Sequence, residues 1–283
     1  MPQPFESRRV LGRTGLSVSP VALGSSYGVA GRDIERAFDR GVNTFLYGSL
    51  RRAGFARGVR ALPRDQVVIA AQTYSRVGFL MRPFLWSALR SLGTDHVDLL
   101  GLAWWNDVPS RRIWDAAIAL RERGLVRHLM VSCHHRPSFE AFLGVEACEA
   151  FMVRYNAAHP GAEREVFPHL EGERPGVFAF TATRWGTLLD ASLGPPGEPT
   201  PRASDCYRFA LTHPRVDSCI AGPKNGVELD EALAAVERGP MTDDELAWMK
   251  RVGAAVRDAR GNRTMSVIDR INGWMCPPKQ LPS

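Results

Sequence analysis

Gln66–Gln72 reads QVVIAAQ, five apolar residues bounded by two carboxamides. A strand with one wet face alternates apolar and polar side chains, whereas a strand buried on both sides of a parallel sheet is apolar almost throughout. The stretch therefore predicts a central parallel strand with helices packed over it.

The flanking sequence repeats the theme. Upstream, Val18–Leu23 and Val42–Tyr47 read as strands, and Asp33–Arg40 as a helix with Ile34, Ala37 and Phe38 on one face. A second helix runs through Phe55–Leu62. Downstream come helix Phe79–Leu92, strand Val97–Trp104, helix Arg111–Arg123, strand Arg127–Ser132, helix Pro137–Leu143 and strand Ala150–Asn156. Helix Glu163–Leu170, strand Gly176–Thr183, helix Ala203–Thr212, strand Val216–Ile220 and helix Val227–Val236 complete the pattern. Eight β–α units over roughly 250 residues predict a closed (β/α)8 TIM barrel rather than an open doubly wound sheet. No G-x-G-x-x-G follows any strand, which counts against the open-sheet dinucleotide fold. The whole chain, 1–283, reads as one domain with an extended tail from about residue 261, which carries Trp274. The Pro/Gly-rich Leu193–Pro201 reads as a long loop over the barrel mouth, because β–α units continue after it.

At 45% hydrophobic, the chain can bury a core of that size. Its net charge of +6 is spread along the chain and interrupted by acids, so it predicts a solvated basic surface and no nucleic-acid partner. Five cysteines, odd in number and without a C-x-x-C pair, argue for reduced thiols and against a disulfide framework or a zinc site. No N-terminal apolar stretch of signal length and no run of about 18 apolar residues occurs, so the expectation is a cytoplasmic protein with no membrane partner.

Four stretches carry a family resemblance: LGRTGLSVSPVALG (Leu11–Gly24), ALRSLGTDHVDLLGL (Ala88–Leu102), ERGLVRHLMVS (Glu122–Ser132) and IAGPKNGVELDEALAA (Ile220–Ala235). Together they resemble the aldo-keto reductases, in the family's order, over about residues 8 to 255. The resemblance implies the same (β/α)8 barrel and carbonyl reduction with NADPH. In that family a tyrosine hydroxyl protonates the carbonyl oxygen, a lysine and an aspartate lower its pKa, and a histidine orients the carbonyl. The matching positions here hold Arg51 for the tyrosine, Gln72 for the lysine, Leu46 for the aspartate and Ala103 for the histidine. The divergence implies an atypical, NADP(H)-linked oxidoreductase. Alternatives are a barrel repurposed as a lyase, isomerase or dehydratase on an anionic small molecule, or a non-catalytic pseudoenzyme.

On the cofactor side the resemblance is stronger. Ser132 matches the serine that holds the nicotinamide carboxamide, although Cys133 replaces the Asn after it, and Phe180 falls where an aromatic stacks on the ring. Gly222, Lys224 and Asn225 match the turn that contacts the adenosine phosphate, and Glu228 stands where Gln or Arg is common. Met152 and Ala232 replace a Gln and an Asn, which implies weaker NADP binding. Asn225 and Lys224 equally read as an N-cap and a solvated cation.

Tyr47, beside the former aspartate position, starts on the opposite strand face unless the turn at Gly48 swings it back. Met152, Arg154 and Asn156 share one face by period two. Arg51 and Arg154, with aromatic walls from Trp104, Trp105 and Trp185, suggest a pocket for a planar or carboxylated anion. An internal Arg–carboxylate pair with Asp107 or Glu163 is the alternative. His134, with His135 next to it, and His159 are the remaining proton-transfer candidates. Adjacent histidines without a third ligand predict no metal site.

Overall fold

The computed structural model describes Phe5, residues 8–48 and residues 52–260. Arg51 and the tail with Trp274 lie outside the described residues.

The alternation predicted from sequence closes into a barrel. Its strands are β3 (Val21–Gly24), β4 (Thr44–Tyr47), β5 (Val68–Thr73), β6 (Val97–Leu102), β7 (Val126–Cys133), β8 (Cys148–Arg154), β9 (Gly176–Phe180) and β10 (Ser218–Ala221). All neighbours are parallel, and β10 pairs back onto β3. Helices α1 (Gly31–Asp39), α2 (Arg52–Ala61), α3 (Gly78–Leu92), α4 (Arg111–Glu122), α5 (Ser138–Leu143), α6 (Ala162–Glu165), α7 (Ala203–Thr212) and α8 (Gly226–Arg238) follow the strands in order.

Strand alternation splits the core into two layers. Ala22, Leu46, Val68, Ala70, Leu99, Met130, Ala150, Met152 and Phe178 fill the lumen. The residues between them, among them Phe45, Ile69, Leu100, Val131, Phe151 and Val177, pack outward against the helices. Fully burying each such side chain stabilises the fold by about 1.5–3 kcal/mol. The outer layer also anchors charge. Asp98, 1% exposed, accepts from the Ile69 N–H at 2.8 Å and pairs with Arg64 at 2.9 Å through one oxygen, and its other oxygen accepts from Arg127 at 3.0 Å.

Several boundaries differ from the sequence reading. Val18 belongs to an antiparallel hairpin, β1 (Arg9–Val10) and β2 (Ser17–Val18), that stoppers the bottom of the barrel. Leu11 and Val18 complete the lumen core from below. Gly12 sits at φ 44° under β9, where a Cβ would overlap the Gly176 N–H and the Arg174 carbonyl, so only glycine fits. The predicted helix Glu163–Leu170 is one α-turn, α6, and a separate 3-10 turn, Phe167–His169. Strand β9 stops at Phe180 because Thr181 turns to φ 56°. The predicted strand Val216–Ile220 is displaced to Ser218–Ala221.

A helix missed in the sequence, α9 (Asp243–Arg260), follows α8. Its start is marked by T-x-x-E: the Glu245 N–H donates to Thr242 Oγ1 at 3.2 Å and the Thr242 N–H to the Glu245 carboxylate at 2.9 Å. Glu245 also pairs with the fully buried Arg208 of α7 at 2.6 Å. The loop Leu193–Pro201 is pinned to α9 by Glu198–Arg251 at 2.6 Å and by Trp248 Nε1 donating to the Pro199 carbonyl at 3.2 Å.

Candidate functional site

The register of the strands fixes which side chains reach the C-terminal mouth. Ser132, Met152 and Phe178 are partners across β7, β8 and β9, and all share the lumen parity of Met130. One level higher, Arg154 is the partner of Phe180, and His134 follows Cys133, whose partner is Val153. His134, Arg154 and Phe180 therefore end three adjacent strands side by side. The His134 ring stands edge-on to Phe180 at 5.3 Å between centroids. Arg154 is 6% exposed, His134 9% and His159, from the loop after β8, 7%.

Burial and the guanidinium act on both imidazoles in the same direction. Desolvation first, and the Arg154 charge second, hold His134 down to about 4. For His159 desolvation again leads, followed by Arg154, Arg184, Arg136 and Arg257, and brings it down to about 3. Both rings are neutral at physiological pH. His134 Nδ1 and His159 Nε2 are buried, and neither has a hydrogen-bond partner among the described residues. Buried polar atoms are almost always satisfied, so two such nitrogens near one cation are an unusual pair.

Beneath this row the lumen is closed off. Gln72 projects over Gly101, and its Nε2 lies 3.1 Å from the Met152 sulfur, three strands away across the barrel. Tyr74 hydroxyl donates to Gln72 Oε1 at 3.0 Å, and the Tyr74 ring meets Trp104 edge-on at 5.0 Å. Tyr74 was not singled out in the sequence. The available signal was its place two residues beyond Gln72, where lumen parity carries past the strand end.

The loops around the mouth hold backbone strain. Among the described non-glycine residues, Trp104, Thr181, Arg184 and Trp185 have positive φ, and all four follow β6 or β9. Such conformations cost about 1–3 kcal/mol each and persist only where neighbours enforce them. Arg76 does so for Trp104: its guanidinium donates to the Ala103 carbonyl at 3.0 Å and the Trp104 carbonyl at 2.6 Å, and lies over the Trp105 ring at 4.1 Å. Arg184 is fully buried and donates to the Val256 carbonyl of α9 at 2.8 Å.

The sequence-derived candidates separate on this frame. Leu46, Gln72 and Ala103 are on lumen-facing positions, and Arg154 and His134 meet at the mouth. Tyr47 does not join them. It is 4% exposed in the outer layer, against Ala71, Leu85 and Ala88, because β4 runs straight through it and no turn swings the ring inward. Trp105 is likewise part of the outer core, while Trp104 and the 38% exposed Trp185 stay in the mouth loops. Glu163 accepts from the Tyr155 hydroxyl at 2.7 Å. The Cys133 thiol turns outward to the His135 carbonyl at 3.1 Å, and burial pushes it up to about 12.

At the proposed dinucleotide end, Ser132 is buried in the lumen row, and the half-buried Phe180 lies in the row above. The turn after β10 is already satisfied from within. Asn225 caps α8 by accepting from the Glu228 N–H at 3.0 Å, and the Glu228 carboxylate accepts from the Lys224 N–H at 2.9 Å. The Lys224 ammonium is 3.8 Å from the same carboxylate. The Tyr27 ring lies against Gly222, where a Cβ would meet it at 2.6 Å. A phosphate at this helix start would meet the Glu228 carboxylate, which accepts from the Lys224 N–H and lies 3.8 Å from its ammonium.

No protein-family model matches the sequence, and no curated protein matches it. Solved structures do match in shape. The holo form of an aldo-keto reductase from Bacillus halodurans superposes with a TM-score of 0.75 at 19% identity, covering 87% of this chain and 95% of that one. An aldo-keto reductase from Klebsiella pneumoniae in complex with NADPH gives 0.72 at 22% identity, with the same coverage. At these identities the likeness establishes the fold: a closed eight-stranded parallel barrel of the aldo-keto reductase kind.

Proposed function

We propose that this chain is an atypical aldo-keto reductase-like barrel that binds a small anionic molecule, of the carboxylate class, at its mouth. The observation that carries the reading is the row of His134, Arg154 and Phe180 at three adjacent strand ends, with His134 Nδ1 and His159 Nε2 buried and unbonded among the described residues. A guanidinium supplies charge and a planar hydrogen-bonding edge for a carboxylate, and neutral imidazoles can donate to its oxygens. Trp104 and Phe180 give apolar surface for the rest of the ligand.

The same geometry argues against the usual reduction. The hydroxyl of Tyr74 donates to a carboxamide oxygen, and position 72 supplies no ammonium where the family has its lysine. Histidines held at about 4 and 3 are weak bases at neutral pH, which suits them to positioning a ligand.

Calorimetric titration with a panel of small carboxylates tests the proposal. Binding to the parent protein that falls at least about tenfold in Arg154→Gln, with folding unchanged, is the expected result. No carboxylate binding, or equal binding by the variant, overturns it.

NADP(H)-linked oxidoreduction is the second reading. It is supported by the fold shared with a neighbour that binds NADPH and by the places of Ser132 and Phe180. NADPH fluorescence titration separates the two: cofactor binding at physiological concentration would favour this reading, and none at millimolar cofactor would remove it.

A further inference from the structure

The outer face of α3 is apolar and uncovered among the described residues. Phe79 is 79% exposed, Trp86 52%, Leu80 45% and Phe84 42%. Scattered exposed apolar residues are ordinary, but four large ones along a single helix form a patch that marks an interaction surface. The buried side of α3 is already supplied by Met81, Leu85, Ala88, Leu89 and Leu92, so this second apolar face is not needed for the core.

On the α2 side of the patch the charge has one sign, whereas α4 on the other side carries Asp115 and Glu122. Helices α2 and α3 lie side by side and contain no Asp or Glu. Their exposed arginines Arg57, Arg60, Arg82 and Arg90 form no ion pair among the described residues, whereas Arg40 pairs with Asp230 and Glu237. Arg82 lies toward the Trp86 ring at 5.9 Å, next to the aromatic surface. A second copy of the chain would set these arginines against one another. Among the described residues, the recess on this face is lined by Arg82, Pro83, Trp86, Ser87 and Arg90, so cations and an aromatic ring share its walls.

We propose that the α2–α3 face seats on an anionic lipid surface, with Phe79, Leu80, Phe84 and Trp86 entering the headgroup boundary and the four arginines contacting lipid phosphates. An aromatic and aliphatic helix face flanked by cations is the arrangement that lies in a bilayer interface, and long arginine side chains reach headgroups while apolar neighbours sink deeper. No described helix is long and apolar enough to cross a membrane, so the contact is peripheral. The sequence-based expectation of no membrane partner rested on that spanning criterion, which does not register a helix lying flat.

Co-sedimentation of the full chain with vesicles tests this. One set is phosphatidylcholine alone, and the other is an equal mixture of phosphatidylcholine and phosphatidylglycerol. The expected result is binding at least about tenfold stronger to the anionic set, weakened by salt. Phe79→Ser with Trp86→Ser, and separately Arg82→Glu with Arg90→Glu, should each lose that binding about tenfold while circular dichroism stays unchanged. Equal binding to both vesicle sets, no binding to either, or full binding by both double variants would overturn the proposal. Self-association that Phe79→Ser with Trp86→Ser abolishes would also overturn it in favour of a second copy.

Discussion

The Tyr74 hydroxyl and the Gln72 carboxamide form one hydrogen-bonded unit, at 3.0 Å, which continues to the Met152 sulfur at 3.1 Å and ties opposite walls of the barrel together. A ligand at the mouth therefore rests on a polar bar rather than on an open lumen. Gln72→Leu should remove the acceptor for Tyr74 and break the bar. A part-buried hydrogen bond of this kind contributes about 0.5–1.5 kcal/mol. Urea unfolding should show a loss of that size, and Gln72→Leu with Tyr74→Phe should recover part of it.

Acid should destabilise the protein through the mouth. His134 and His159 are held at about 4 and about 3, below the unfolded value of roughly 6.5, so the unfolded chain binds more protons between those limits. Their burial costs nothing above pH ~6.5, and stability falls as pH drops from there toward the folded pKa values, by roughly 1.4 kcal/mol per pH unit for each ring. Chemical denaturation between neutrality and mild acid should show this slope, and His134→Gln should roughly halve it. An anion beside Arg154 would raise both rings, so carboxylate binding in the same range should take up protons.

Much of the fold was legible in Gln66–Gln72 and its echoes, because strands buried on both faces leave a continuous apolar run that period-two and helical patterns do not imitate. Strand parity also placed Leu46, Gln72, Ala103 and Arg154 on lumen positions, since alternation survives wherever the strand is regular. The reading failed where regularity ends. Tyr74 sits past the end of β5, and its inward turn depends on the Arg76 clamp and the strained Trp104. That His134 and His159 both feel the Arg154 charge is a tertiary matter, because one histidine follows β7 and the other follows β8. Helix α9 carries a readable start in Thr242–Glu245, a capping box with no strong apolar run beside it.

Glycine at position 253 should resist replacement. Within α9 an alanine would ordinarily be favoured by about 1 kcal/mol. Here a Cβ would overlap the Ala157 carbonyl of the loop after β8, so the backbones touch and the clash decides the sign. Gly253→Ala should destabilise by about 1–3 kcal/mol, seen as a lower melting temperature.

The start of α8 separates capping from cofactor binding. Asn225→Ala should cost about 1 kcal/mol of stability through the lost cap. If the turn is satisfied internally, as the Glu228 contacts indicate, the variant should leave any residual NADPH affinity unchanged in a fluorescence titration.

The stopper hairpin reaches across the sequence as well as across the barrel. The Arg13 guanidinium donates to the Cys148 carbonyl at 2.7 Å, a contact spanning 135 positions, and Gly12 nests under Gly176. During synthesis the earliest part of the chain must wait for β8 and β9 to emerge before it can dock, and closing so long a loop is entropically slow. Both contacts lie between the start of the chain and residues 148–176, so the hairpin's seat is completed only once β8 and the start of β9 are in place.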